Sequence, residues 1–165
     1  MSRTLVGGIG NIFLGDDGFG VEVVRRLAER PRRPDVHIAD FGIRSLDLAY
    51  ALADGYHDVI LVDAMPRGQS PGTLYVVEPT RDGESPTQGP TAGLAAHDFG
   101  PAQVLAMAGA FAANPLSRVR VIGCEPATIP PDGDILVGLS EPVAAAVDRA
   151  VDLVEELLGE LAHRA

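Results

Sequence analysis

Four consecutive apolar residues, Val59-Ile60-Leu61-Val62, run straight into an acid, Asp63. A run with neither polar alternation nor helical spacing is the pattern of a central strand covered on both faces, and such strands belong to parallel sheets with helices on either side. The flanking segments fit that architecture. Thr4–Gly8 reads as a buried first strand, after which Gly20, Val23, Val24, Leu27 and Ala28 follow helical spacing until Pro31 and Pro34 stop the helix. Val36–Ala39 is a short second strand ending at Asp40, and Ser45 is an N-cap candidate for a helix reaching Ala53. Residues 70–79 open with a Pro-Gly turn and alternate weakly, as an edge strand would, with an antiparallel setting left open. Residues 80–96 show no periodicity and read as a long loop ending at His97. Pro101, Val104, Leu105 and Ala108 mark a helix that Asn114-Pro115 terminates, Arg118–Cys124 reads as a fifth strand, and Ser140-Glu-Pro opens the last helix. Strands and helices in this order define an α/β fold, and the absence of repeats or a linker makes residues 1–165 a single domain.

Composition narrows the function classes. Apolar residues make up 46 % of the chain, enough for a packed core. The formal net charge is −10, and all thirteen basic residues are arginine. The one basic cluster, Arg25, Arg26, Arg30, Arg32 and Arg33, sits at a predicted helix end, where cations suit the helix dipole. An acidic chain of this kind is a poor nucleic-acid binder. No apolar run approaches a membrane span, and no charged-then-apolar leader is read before the first strand. The single cysteine, Cys124, suits a reducing compartment and reads as a small core residue. A cytoplasmic protein is expected.

Ligands of open parallel sheets bind in the crevice outside the strand C-termini. Asp16 and Asp17 follow the first strand, Asp40 ends the second, Asp63 ends the third, and His97 precedes a helix. Each has an ordinary structural role open to it: a turn for Asp40, a helix cap for Asp63, a favourable helix N-terminus for Asp17. Together, two oxygen donors and an imidazole suit a divalent metal with open positions. The stretch GGIGNIFLGDDGFG, residues 7–20, invites a phosphate reading that its spacing does not support. From Gly8 the sixth position of a G-x-G-x-x-G fingerprint is Phe13, and without lysine there is no P-loop. There is no G-x-S-x-G nucleophile elbow either.

The motif G-I-G-N-x-x-x-x-D-D-G-x-G after strand one, V-D-A after strand three, P-G-T before strand four and a histidine before a helix resemble the [NiFe]-hydrogenase maturation endopeptidases. The likeness runs from Val6 to the Leu139-Ser-Glu-Pro-Val start of the final helix, and GIGNIFLGDDGFGVEVV is its most specific part. It implies an α/β fold with a single three-layer domain, a twisted, mostly parallel five-stranded sheet flanked by helices on both faces. It also implies an activity: removal of the C-terminal extension of a [NiFe]-hydrogenase large-subunit precursor after nickel insertion. In the family, the second acid of the pair, the aspartate after strand three and the histidine contact the metal, which maps onto Asp17, Asp63 and His97. Where the family commonly has D-G-G-T after strand two, this chain has Asp40-Phe-Gly-Ile. The resemblance thus implies nickel supplied by the substrate, with other divalent cations able to substitute. The large-subunit precursor is the expected partner of a monomer, with no nucleic acid and no membrane. Asp16 and Asp40 are the candidates for a carboxylate that activates water. Two other readings remain open: a nucleotide- or cofactor-binding module using the first loop and Asp40, and a non-catalytic metal-sensing maturation chaperone.

Overall fold

The run Val59–Val62 lies at the centre of a five-stranded sheet, with all four side chains almost fully buried. The computed structural model describes residues 3–78, 118–131 and 133–164. In chain order these form β1 (Thr4–Ile9), a 3-10 turn (Gly15–Gly18), α1 (Phe19–Ala28), β2 (Val36–Gly42), α2 (Ser45–Ala53), β3 (Asp58–Ala64), β4 (Leu74–Val77), β5 (Arg118–Cys124) and α3 (Glu141–Arg164). The expected long loop, the helix after it and His97 lie outside the described residues.

The strand order is β2-β1-β3-β5-β4. β1 pairs in parallel with both β2 and β3, β3 pairs in parallel with β5, and β4 runs antiparallel along β5. The sheet is therefore mostly parallel, and the 70–79 stretch is its antiparallel edge. Helices cover both faces. Val23, Val24 and Leu27 of α1 and Val147, Val151 and Val154 of α3 pack on Val6, Ile60, Val62 and Ile122. Leu48 and Leu52 of α2 pack on Leu5, Val59, Leu61 and Val121. The alternation of Val59 and Leu61 to one cluster and Ile60 and Val62 to the other shows why the run has no polar member: both faces are roofed.

Two strands run further than the sequence reading placed them. β2 continues past Asp40 to Gly42, with an irregular step in its pairing to β1 beyond Gly8, and Phe41 packs into the α2-side core on the same face as Ala39. β3 includes Asp63, which pairs with Gly123 of β5. The arginine cluster has a second role besides facing solvent. Arg26, Arg30 and Arg33 bond Asp148, Asp152 and Glu155 at 2.8, 3.4 and 2.8 Å. The three pairs ascend together, so they join α1 and the segment after it to α3 in parallel register.

Candidate active site at the sheet edge

Strand order reverses between β1 and β3: from β1 the chain first adds β2 on one side, then crosses to β3 on the other. A crevice opens at such a switch point, outside the strand C-termini. Asp63 is the penultimate residue of β3, and Asp17 lies in the 3-10 turn between β1 and α1, so both acids belong to this edge of the sheet.

Glycines make the approach possible. A Cβ on Gly20 would stand 2.0 Å from the Val62 carbonyl oxygen and 2.5 Å from that of Ile9. The first turn of α1 therefore lies directly on β1 and β3, and only a bare Cα fits. Gly10 has φ of 136°, and a Cβ there would collide with the Asp17 carbonyl. The glycines serve backbone packing and turn geometry.

The loop also uses up its own donors. The N–H groups of Gly10, Leu14, Gly15, Asp16 and Asp17 donate to carbonyls of Gly42, Asn11, Leu136, Thr128 and Leu14, respectively. The Phe13 N–H donates to the Asn11 side-chain oxygen at 2.9 Å, and the Asn11 N–H to Asp17 Oδ2 at 2.8 Å. A phosphate cradle requires converging free N–H groups. These seven are committed, and the loop instead presents an acid.

The two neighbouring acids have different environments. Asp16 is fully buried. Its Oδ2 accepts from the Ala127 and Thr128 N–H groups and the Ser140 hydroxyl, each at 2.8 Å, and its Oδ1 accepts from the Ser140 N–H at 2.7 Å. Burial by itself pushes this carboxyl up, but the Ser140 and Thr128 N–H groups, the Ser140 hydroxyl and the Ala127 N–H together hold it below its ordinary value. With four donors around it, Asp16 is a latch between the loop and the segment entering α3, which argues against its use as a water-activating base. Asp17 is half-buried, on the adjoining residue of the same turn.

Asp40 is separated from Asp63 by the sheet. Ile38, two residues before Asp40, packs with the α1 and α3 side, whereas Leu61, two before Asp63, packs with the α2 side. The Asp40 carboxylate lies 3.6 Å from the Arg25 guanidinium of α1, and its backbone carbonyl accepts from Arg44. His37 hydrogen-bonds the Tyr56 hydroxyl at 2.6 Å, on the β2 edge. Among the described residues no three metal-ligating side chains converge; His97, the third expected ligand, is not one of them.

Glu125, directly after β5, had no sequence signal. It is buried and accepts from the N–H groups of Arg67 and Gly68 at 2.7 and 3.0 Å and from the Tyr75 hydroxyl at 2.7 Å. Burial raises this carboxyl, and the Tyr75 hydroxyl with the Arg67, Gly68 and Gln69 N–H groups outweighs it, leaving the group below its ordinary range. Burial pushes the Cys124 thiol up to about 11, helped by the negative charge of Asp16, so it stays a protonated core residue rather than a nucleophile.

Comparison with known proteins agrees with this architecture. The profile of the HycI hydrogenase maturation protease family matches residues 21–157. A hydrogenase expression/formation protein, HoxM, of Azotobacter vinelandii is 35 % identical over 157 residues, covering 94 % of this chain and 72 % of the relative. The hydrogenase 2 maturation protease of Escherichia coli is 31 % identical over 159 residues, covering 96 % and 92 %. The solved structure of the hydrogenase maturating endopeptidase HybD from Escherichia coli superposes with a TM-score of 0.77 at 28 % identity, over 96 % of this chain and 93 % of that one. Profile, relatives and fold agree: this chain belongs to the hydrogenase maturation protease family.

Proposed function

We propose that this protein is the endopeptidase that removes the C-terminal extension of a [NiFe]-hydrogenase large-subunit precursor once nickel has been inserted. In this reading, Asp17, Asp63 and His97 recognise the nickel that the precursor already holds. The observation that carries the proposal is the placement of Asp63 at the C-terminal end of β3 and of Asp17 in the 3-10 turn that links β1 to α1, both on the C-terminal edge of the sheet where its strand order switches. Carboxylates on either side of one crevice repel each other unless a cation lies between them. Oxygen donors with an imidazole suit a divalent ion of nickel's class.

The residues of this chain would divide the work. Asn11 fixes one Asp17 oxygen through its backbone N–H at 2.8 Å, so this carboxylate is held in position before any ligand arrives. Asp63 is held by its strand pairing with Gly123. Nickel, when bound, supplies a positive charge that neutralises these acids and marks the precursor as ready. Two acids and one imidazole are too few to enclose an ion, which suits a metal shared with the substrate.

The test is incubation with a nickel-loaded large-subunit precursor, read by the mass of its C-terminus. Wild-type protein should shorten the precursor, and Asp17→Asn and His97→Ala should not, while Asp17→Asn keeps its melting temperature within a few degrees. Full processing by both variants would remove the ligand assignment. A wild-type protein that binds the precursor without cutting it would favour the chaperone reading instead.

A further inference from the structure

Five large apolar side chains are exposed on adjoining loops beside the Asp17 turn. Phe13, Ile129, Ile135, Leu136 and Val137 are 53, 43, 75, 41 and 72 % exposed. They are held there by specific bonds. The Leu136 N–H donates to the Phe13 carbonyl at 2.9 Å, the Gly15 N–H donates to the Leu136 carbonyl at 2.7 Å, and Leu14 and Leu136 form a parallel bridge. The Asp16 N–H reaches Thr128, which ties the Ile129 loop to the same turn. A pinned apolar surface loses little conformational entropy on binding, so its burial by a partner is favoured. Contiguous exposed apolar patches of this kind mark interaction sites.

A groove of about 420 Å³ continues from this surface along α1, with Ile12, Val137 and Leu139 on its walls and Arg25 and Arg26 beside Glu22. Arg25 is half-exposed and, among the described residues, its ion pairs are long, 3.5 Å to Glu22 and 3.6 Å to Asp40. Pairs of this sort exchange readily for an incoming carboxylate. The charge of the chain selects among possible occupants. At −10 net, a second copy would bring like charge to like charge. A different polypeptide, carrying apolar side chains and an acid, fits both the patch and the arginine.

We propose that Phe13, Ile135, Leu136 and Val137, with the groove over Arg25, form the docking surface for an apolar segment of the polypeptide substrate, whose neighbouring carboxylate meets Arg25. The inference rests on the protease reading above, because it takes the polypeptide to be the one cut next to Asp17. It goes further by assigning a surface to recognition of the protein part of the substrate, apart from its metal.

The experiment uses the intact protein carrying Ile135→Asp and Val137→Asp together, with Arg25→Glu as a second variant. Affinity for the nickel-loaded precursor is measured by biolayer interferometry, and processing is followed across precursor concentration by mass. Ile135 and Val137 are the most exposed of the set, so the double variant should melt within about 2 °C of wild type. Its dissociation constant and KM for the precursor should rise about tenfold or more, as expected at a binding hot spot, with kcat at saturation within twofold. Arg25→Glu should weaken binding in the same direction and remove part of its salt dependence. Unchanged affinity in both variants overturns the docking surface and leaves the protease reading standing. Wild-type protein that binds but does not cut, with binding lost in the double variant, overturns the protease reading and supports the surface. A wild-type dimer in sedimentation that the double variant abolishes would show self-association and overturn the proposal.

Discussion

Replacement of Asp16 separates its role as a latch from a role as a base. The carboxylate is fully buried and accepts four hydrogen bonds, three at Oδ2 and one at Oδ1. Asp16→Asn can keep its carbonyl oxygen at the Oδ2 position, where the Ala127 and Thr128 N–H groups and the Ser140 hydroxyl converge. Its amide then meets the Ser140 N–H, donor against donor. One unsatisfied buried donor and the loss of charge assistance cost about 2 kcal/mol. Asp16→Ala removes all four acceptor contacts and leaves three backbone N–H groups and a hydroxyl facing a void, which costs about 4 kcal/mol. For a chain of this size, 1 kcal/mol corresponds to roughly 2–4 °C, so melting should fall by about 4–8 °C for Asn and about 8–16 °C for Ala. Differential scanning fluorimetry of the two variants, beside the precursor-processing assay, reads both effects. Asp16→Asn should retain substantial processing below its melting temperature. An Asn variant that melts like wild type yet cuts nothing would refute the latch and restore Asp16 as a base.

Gly20→Ala should cost about 3 kcal/mol or more, or prevent folding, because its Cβ meets two backbone oxygens within 2.5 Å; wild-type-like solubility and melting would contradict the close contact of α1 with β1 and β3. Asp16 and Glu125 are both held below their ordinary values of 3.8 and 4.5, so they bind fewer protons folded than unfolded. Their stabilising effect is complete above the unfolded values and is lost as pH falls through the folded ones, so melting temperature should drop steeply below about pH 4, less steeply in Asp16→Asn; a flat profile from pH 6 to about pH 3 would oppose it. Arg30→Ala removes a 3.4 Å pair exposed on both sides and should change stability by less than about 1 kcal/mol, with double-mutant cycles against Asp152 giving the pair energy.

The sequence shows the strands most clearly where burial is double-sided. Val59–Val62 could only be central, and its neighbours followed from it. The edge strand was visible in its weak alternation, and pairing with β5 then made it antiparallel. What was hidden depends on contacts distant in sequence. Asp16 bonds Ala127, Thr128 and Ser140, which lie 111, 112 and 124 residues away, and no local pattern marks those partners. Glu125 was hidden for the same reason: its donors come from the loop after β3 and from β4. Asp40 was misplaced slightly because a bulge carries β2 onward through a buried Phe41, and bulges leave no period to read. The α1–α3 ladder did leave a trace. Arg26, Arg30 and Arg33 repeat the four-then-three spacing of Asp148, Asp152 and Glu155, which on α3 is the helical spacing of one stripe and on the arginine side continues past the end of α1.

The adjacent acids illustrate how one turn can satisfy opposite demands. An ionised carboxylate can be buried only if donors surround it, and Asp16 draws them from the segment between β5 and α3. That same segment carries Ile129, Ile135, Leu136 and Val137, and it returns two backbone hydrogen bonds to Phe13 and Gly15. The turn holding Asp17 is thus tied to the exposed apolar surface from two directions, through the Asp16 carboxylate and through the Leu136 backbone. A substrate pressing on that surface would act on a framework that already contains Asp17. Flexible attachment would have left Asp17 to be ordered at each encounter, at an entropic cost borne by binding. With the Asp16 carboxylate satisfied by its donors, the turn that carries Asp17 is fixed in advance, which is what recognition of a cation carried by another protein requires.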